Sequence, residues 1–253
     1  MPVLPDYRLE GKVAFIAGAG DGITPVLAGA LAEAGAKVFI MATSQYVVEA
    51  GMWTVANLDG QALGLTGDPA DPVAVERALE VFLPLWDSVD ILINNARIPL
   101  ATPFQDMSYE DWNELMRCNV GSAFTLCHGV GREMLRRGSG KIINVISGLA
   151  ERGLWNSAAF CASQGAVLQL TRALALEWAL LNVRVNAVGL GWLSEKETAE
   201  FEGTEDQLTR YIPLKRKGYP SDIAPLVIYL ASDACQYTTG QPIYVDGGLM
   251  AHP

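Results

Sequence analysis

The sequence predicts an α/β fold: a doubly wound parallel sheet with helices on both faces. Three observations predict it. Near-continuous apolar runs such as "KVAFIAG", "VDILINNA" and "GKIINVIS" fit strands covered on both faces. Stretches of helical periodicity separate them. Glycine, asparagine and serine fall where these strands end, and ligands bind beyond the carboxyl ends of such strands.

In chain order, "KVAFIAGAGDGI" is a strand entering a glycine-rich turn, and "TPVLAGALAEAGA" is a helix that Gly35 stops. "KVFIMA" is a second buried strand. "PVAVERALEVFLPLW" is helical, with Pro84 a candidate terminator. "VDILINNA" is a strand. Residues 108–137 read as one long helix, with Ser108 and Asp111 near capping-box spacing. "GKIINVIS" is a strand, 157–181 a long helix, "VRVNAVG" a strand, 221–232 a helix and "PIYVDGG" the last strand. No linker, repeat or low-complexity segment interrupts the alternation, so residues 1–253 are taken as one domain. Half of them are hydrophobic, ample for one large core.

A formal net charge of −10 argues against a nucleic-acid partner. Cys118, Cys127, Cys161 and Cys235 show no CxxC spacing, and with His128 and His252 they match no familiar metal site. Free cysteines in apolar stretches suggest a reducing compartment. The N-terminus lacks a tripartite export signal, and no run of about 18 apolar residues exists to span a membrane. A soluble, cytoplasmic protein with no metal is expected.

The motifs "LEGKVAFIAGAGDGI", "DILINNA", "RCNVGSAF", "GKIINVIS", "VRVNAVGLGW" and "TGQPIYVDGG" together resemble the short-chain dehydrogenase/reductase family from about residue 9 to 248. The resemblance implies a Rossmann-type domain, NAD or NADP, a dimer or tetramer, and an Asn–Ser–Tyr–Lys active site. In that site Tyr is the general acid/base and Lys lowers its pKa and holds the nicotinamide ribose. Ser orients the carbonyl, and Asn anchors a water relay. Here Asn119 and Ser147 match, but the Tyr and Lys positions hold Phe160 and Gln164.

Other departures accompany these. The glycine turn keeps Gly18 and Gly22 but puts Thr24 and then Pro25 where the family has its last glycine and the following residue. The second strand ends in Met41-Ala42-Thr43-Ser44, with neither an acid for the ribose hydroxyls nor an arginine for a 2′-phosphate. "NNAR" carries Arg97 for glycine, which either fills the nicotinamide pocket or binds an anion. Leu190 replaces a proline before Gly191, and Glu195 replaces the threonine that meets the carboxamide. Gly18, Gly22, Asp68 and Asn95 are the residues left to contact a cofactor.

Phenylalanine has no exchangeable proton, and Gln164 lowers no pKa by charge. Losing general acid/base catalysis costs on the order of 10²–10⁴ in rate. Candidate replacements are Ser147, Tyr46, Tyr109, Tyr211, Asp21 and Glu151, each with a plainer structural role. The leading expectation is therefore a chain with no intact catalytic set and no bound cofactor. It would be a structural or regulatory subunit of a hetero-oligomer whose active short-chain dehydrogenase partner binds NAD. The small residues Ala158, Ala159, Ala162, Ser163 and Ala166 would serve that subunit contact. The degeneration is similar in kind to the inactive subunit of hydroxyacyl-CoA dehydrogenases such as (hydroxybenzyl)succinyl-CoA dehydrogenase of anaerobic toluene degradation. Two alternatives stay open: an NAD(P)-dependent oxidoreductase with a displaced general acid, and a non-redox enzyme or ligand-binding module reusing the pocket.

Overall fold

The computed structural model describes residues 6–18, 22–194 and 207–251. Seven strands, β1 (Val13–Gly18), β2 (Lys37–Ala42), β3 (Ala62–Thr66), β4 (Ile91–Asn95), β5 (Gly140–Ser147), β6 (Val183–Leu190) and β7 (Pro242–Val245), form one sheet. Their order is β3-β2-β1-β4-β5-β6-β7, and every pairing is parallel. The expected fold class is therefore the observed one. The order reverses between β1 and β4, so a crevice opens where Gly18 and Asn95 stand side by side at the strand ends.

One core layer packs Ile16, Ile40 and Val188 against α1 (Ile23–Glu33), α2 (Gln45–Ala56) and α7 (Pro220–Ala231). The other packs Phe15, Phe39 and Val185 against α3 (Pro72–Trp86) and α5 (Ser122–Arg137). β1, β2 and β4 are buried along nearly their whole length. This is why they read as unbroken apolar runs.

Four local features depart from the sequence reading. Helix α2 and strand β3 were not foreseen; "QYVVEAGMWTVA" is rich in β-branched residues and interrupted by Gly51. That glycine is a contact point, since a β-carbon there would come within 2.7 Å of Ile40. Helix α3 runs through Pro84 and ends at Asp87 in the left-handed region, because the proline sits in the last turn, where it removes a single hydrogen bond. The single helix expected over 108–137 is instead α4 (Tyr109–Met116), a π turn over Arg117–Gly121, and α5. Ser108 caps α4 as its spacing suggested, accepting from the Asp111 N–H at 3.0 Å and donating to its carboxylate at 2.7 Å.

The C-terminal half of the site rests on α6 (Ala158–Trp178), followed by a short 3₁₀ turn to Leu181. Of its small-residue run, Ala159 and Ser163 are buried inside the chain, while Ala158 and Ala162 face out. Among the described residues no helix is long and apolar enough to cross a membrane, and no His/Cys/Asp/Glu group is placed to hold a metal ion.

Candidate functional site

The site lies at the carboxyl ends of β1, β4, β5 and β6. At the nucleotide end, the strand-to-helix turn enters α1 through Gly22 at φ 71°. Its N-cap residue, Gly22, has no side chain to cap with, and no acidic residue occupies the first turn from Ile23 on. This suits a phosphate, which binds helix N-termini through backbone N–H groups and the local dipole. Thr24 does not prop helix and strand apart as its bulk suggested. It is fully buried, with its side chain against the bare Cα of Gly18, where any β-carbon would overlap it. Asn95 also donates to the Thr24 hydroxyl at 3.4 Å. Asp68 accepts from the Ala70 N–H at 2.9 Å and pairs with Arg117 at 2.6 Å, so part of its acceptor capacity is already used.

The π turn carries Asn119 into the middle of the site, a usual place for such a bulge. Its carbonyl accepts from the Ile98 N–H at 2.7 Å. Its two N–H groups go to the Ile98 carbonyl and the Ser163 hydroxyl, both at 3.0 Å. Asn119 thus spends both donors inside the protein, pinning the segment after β4 to α6. Ser163 in turn donates to the Phe160 carbonyl at 2.8 Å.

Ser147 ends β5. Its oxygen accepts from the Leu149 N–H at 3.2 Å, leaving its own proton to donate. Gln164, buried at 1 % exposure, uses its side-chain carbonyl to accept from the Ser147 N–H at 2.9 Å. The position expected to hold a lysine therefore fixes the serine backbone through a neutral amide. Phe160 is buried in an apolar cluster with Leu115 and Ala159, bordered by Trp112 and Leu149. Its ring has apolar neighbours and offers no proton.

Among the described residues, the suggested replacement acids other than Ser147 have other surroundings. Tyr46, Tyr109 and Tyr211 are 79, 73 and 66 % exposed, and none lines the cavity beside Ser147. Glu151 is tied to Arg172 at 3.0 Å. Asp21 and Glu195 lie outside the described residues. Tyr244 packs over Gly189 on the α6 side of β7, two strands from Ser147. Burial, and then the Glu151 carboxylate, push its phenol above the usual range, so it is a poorer acid than a free tyrosine.

A cavity of about 40 Å³ lies beside Ser147, between β5, β6 and the C-terminal segment. Trp192 lines it, whereas Trp155 is 90 % exposed and not part of its wall. Arg97 is half-buried beside the crevice. Arg152 and Met250, which also line the cavity, were missed from sequence. The usable signal was position: Arg152 stands five residues after the strand-end serine.

The enoyl-(acyl carrier protein) reductase model matches residues 18–250. The chain is 34% identical over 245 residues to D-threitol dehydrogenase of Mycolicibacterium smegmatis, covering 96% of this chain and 94% of that one. It is 33% identical over 253 residues to 2-dehydro-3-deoxy-D-gluconate 5-dehydrogenase of Dickeya dadantii, covering 98% and 99%. A gluconate 5-dehydrogenase from Burkholderia cenocepacia, solved with NADP and tartrate, superposes with a TM-score of 0.89 at 32% identity over 98% of each chain.

These relatives overturn the expectation of a non-catalytic subunit: over nearly their full lengths they are dehydrogenases. The expectation of no cofactor on this chain finds no support either, since a neighbour this similar holds NADP. The error was one of magnitude. Removing a general acid takes a factor of about 10²–10⁴ from an acceleration that spans about 10⁶ or more, and orientation of the reactants survives it. From the strand order to the serine at the end of β5, and across almost its whole length, the chain belongs to the short-chain dehydrogenase/reductase family.

Proposed function

We propose that this protein is an NAD(P)-dependent oxidoreductase of small polyols or sugar acids whose proton is exchanged with water at Ser147 instead of with a tyrosine. The observation that carries this reading is the Ser147 hydroxyl, anchored by Leu149, with its proton unspent at a cavity wall. The likeness to dehydrogenases along the whole chain supports it.

The start of α1, with Gly18 and Gly22, would hold the pyrophosphate, and Asn95 borders it in the crevice. A bound nicotinamide supplies or takes the hydride at the substrate carbon. The chain's own residues do the rest. Ser147 donates a hydrogen bond to the reacting oxygen; in reduction its proton passes to the alkoxide and is replaced from solvent water, which is left as hydroxide, and in oxidation the proton runs the other way to water. Gln164 fixes the Ser147 backbone, and Asn119 holds the floor of the site through Ile98 and Ser163. Phe160 belongs to the apolar cluster that backs Leu149, one of the residues of the cavity wall. Turnover is expected to be slower than in tyrosine-bearing relatives by on the order of 10²–10⁴.

The test is thermal-shift titration of the purified chain with NAD(H) and NADP(H), followed by single-turnover assays with D-threitol and D-gluconate. Cofactor protection with slow, Ser147-dependent hydride transfer is expected. No protection by either dinucleotide and no transfer overturns the proposal.

A further inference from the structure

We infer that the cavity beside Ser147 is a carboxylate subsite in which Arg152 holds the acid group of the substrate. This rests on the oxidoreductase reading and narrows its substrate to a hydroxy or keto acid. The wall is apolar along Leu149, Leu190, Trp192 and Met250, and Arg152 is its one charged residue. The guanidinium has five N–H donors. Among the described residues it spends one, from Nη1 to the Leu249 carbonyl at 3.1 Å, a neutral acceptor. Its obvious internal partner, the adjacent Glu151, is held by Arg172 instead.

A second arginine close by shows the difference. Arg216 lines a neighbouring cavity of about 170 Å³ whose wall also includes Trp192. It is forked on Asp222 at 2.6 and 2.9 Å, so its charge is matched within the chain. Arg152, at the exposed mouth of its cavity, has no such match among the described residues, in a chain whose formal net charge is −10. An unmatched guanidinium in an apolar wall favours a planar anion with two oxygens. The smaller cavity admits one end of a molecule. Trp192 borders both spaces.

The experiment compares acids with a neutral polyol on the full chain. D-gluconate, tartrate and D-threitol are titrated by calorimetry with NADP present, against wild type, Arg152→Gln and Arg152→Lys. At least one acid is expected to bind ten-fold or more tightly than threitol and to weaken as salt is raised. Arg152→Gln is expected to cut acid affinity ten-fold or more while leaving threitol within about two-fold, in line with a charged hydrogen bond. Arg152→Lys is expected to fall between. Threitol binding as tightly as both acids, no acid binding, or an equal loss for acid and polyol in Arg152→Gln overturns the subsite. Should the variant not fold, the acid–polyol and salt comparisons on wild type still decide. Turnover separates the two readings. Hydride transfer from threitol without acid preference overturns the subsite alone. Arg152-dependent acid binding without any hydride transfer overturns the oxidoreductase reading alone.

Discussion

The two ends of the crevice have changed in different ways. At the nucleotide end the bulk of Thr24 is a departure of shape, and a neighbour absorbs it: the volume of Thr24 is met by the missing side chain of Gly18. At the catalytic end the departures are of chemistry. Phe160 packs among apolar residues and Gln164 is hydrogen-bonded to Ser147, so nothing in the packing reports a loss. Packing registers volume and polarity but not acidity. A fold can therefore give up its proton carrier without strain, and the consequence falls on rate alone.

The sharpest way to break this contrast is to restore the acid. Phe160→Tyr with Gln164→Lys is expected to raise kcat by on the order of 10²–10⁴ and to add a titrating limb to the pH–rate profile. Phe160→Tyr alone should give much less, because no cation then lowers the phenol's pKa. An unchanged rate in the double variant would mean that proton transfer is not what distinguishes the two ends. Next in size is Ser147→Ala. Removing a donor aimed at the reacting oxygen costs about 10²–10³ in kcat, read in the same assay, with little change in melting temperature.

How much of this was legible in sequence depended on distance along the chain. Strands β1, β2, β4, β5 and β6 were readable because both their faces are buried; β3, only partly buried, was not. Phe160 and Gln164 were readable because they stand at fixed spacings from Ser147 within one strand–loop–helix unit. The π turn at Asn119 was not, since one extra residue in a turn barely shifts the apolar periodicity. Nor was the role of Arg152. Its cavity forms only when Leu249 and Met250, about a hundred residues later, fold over the loop after β5; Gly148 admits Met250 there, where a β-carbon would lie 2.9 Å from its sulfur. The failure over function had another origin. An absent proton donor was read as absent activity, although the frame that orients the reactants was still in place.

Smaller effects are expected where shape is compensated. Gly18→Ala forces its new methyl onto Thr24 and should destabilise the fold by about 1–3 kcal/mol, measured by urea unfolding. Adding Thr24→Ala should recover most of that loss, and a double-mutant cycle reads the coupling directly. Additive losses would show that the two residues do not compensate one another. The crevice would then have tolerated both changes independently.

The smallest effect belongs to the ionic border of the nucleotide end. Arg117 binds Glu114 at 2.7 Å and Asp68 at 2.6 Å. Hydrogen bonds from Arg117 and then from the Cys118 thiol hold the Glu114 carboxyl down from the usual 4.5 to about 2. A carboxyl lowered in the folded state contributes stability that is full above its unfolded value and is lost as pH falls through the folded one. The gap between wild type and Arg117→Met in unfolding midpoint should therefore be constant above pH 4.5 and close by about pH 2. Arg117 and Glu114 are exposed and Asp68 is half-buried, so salt should shrink the gap throughout. A gap that survives at pH 2 and in high salt would assign the effect to packing of the arginine stem. The nucleotide end would then differ from the catalytic end in shape alone, with charge contributing nothing to either.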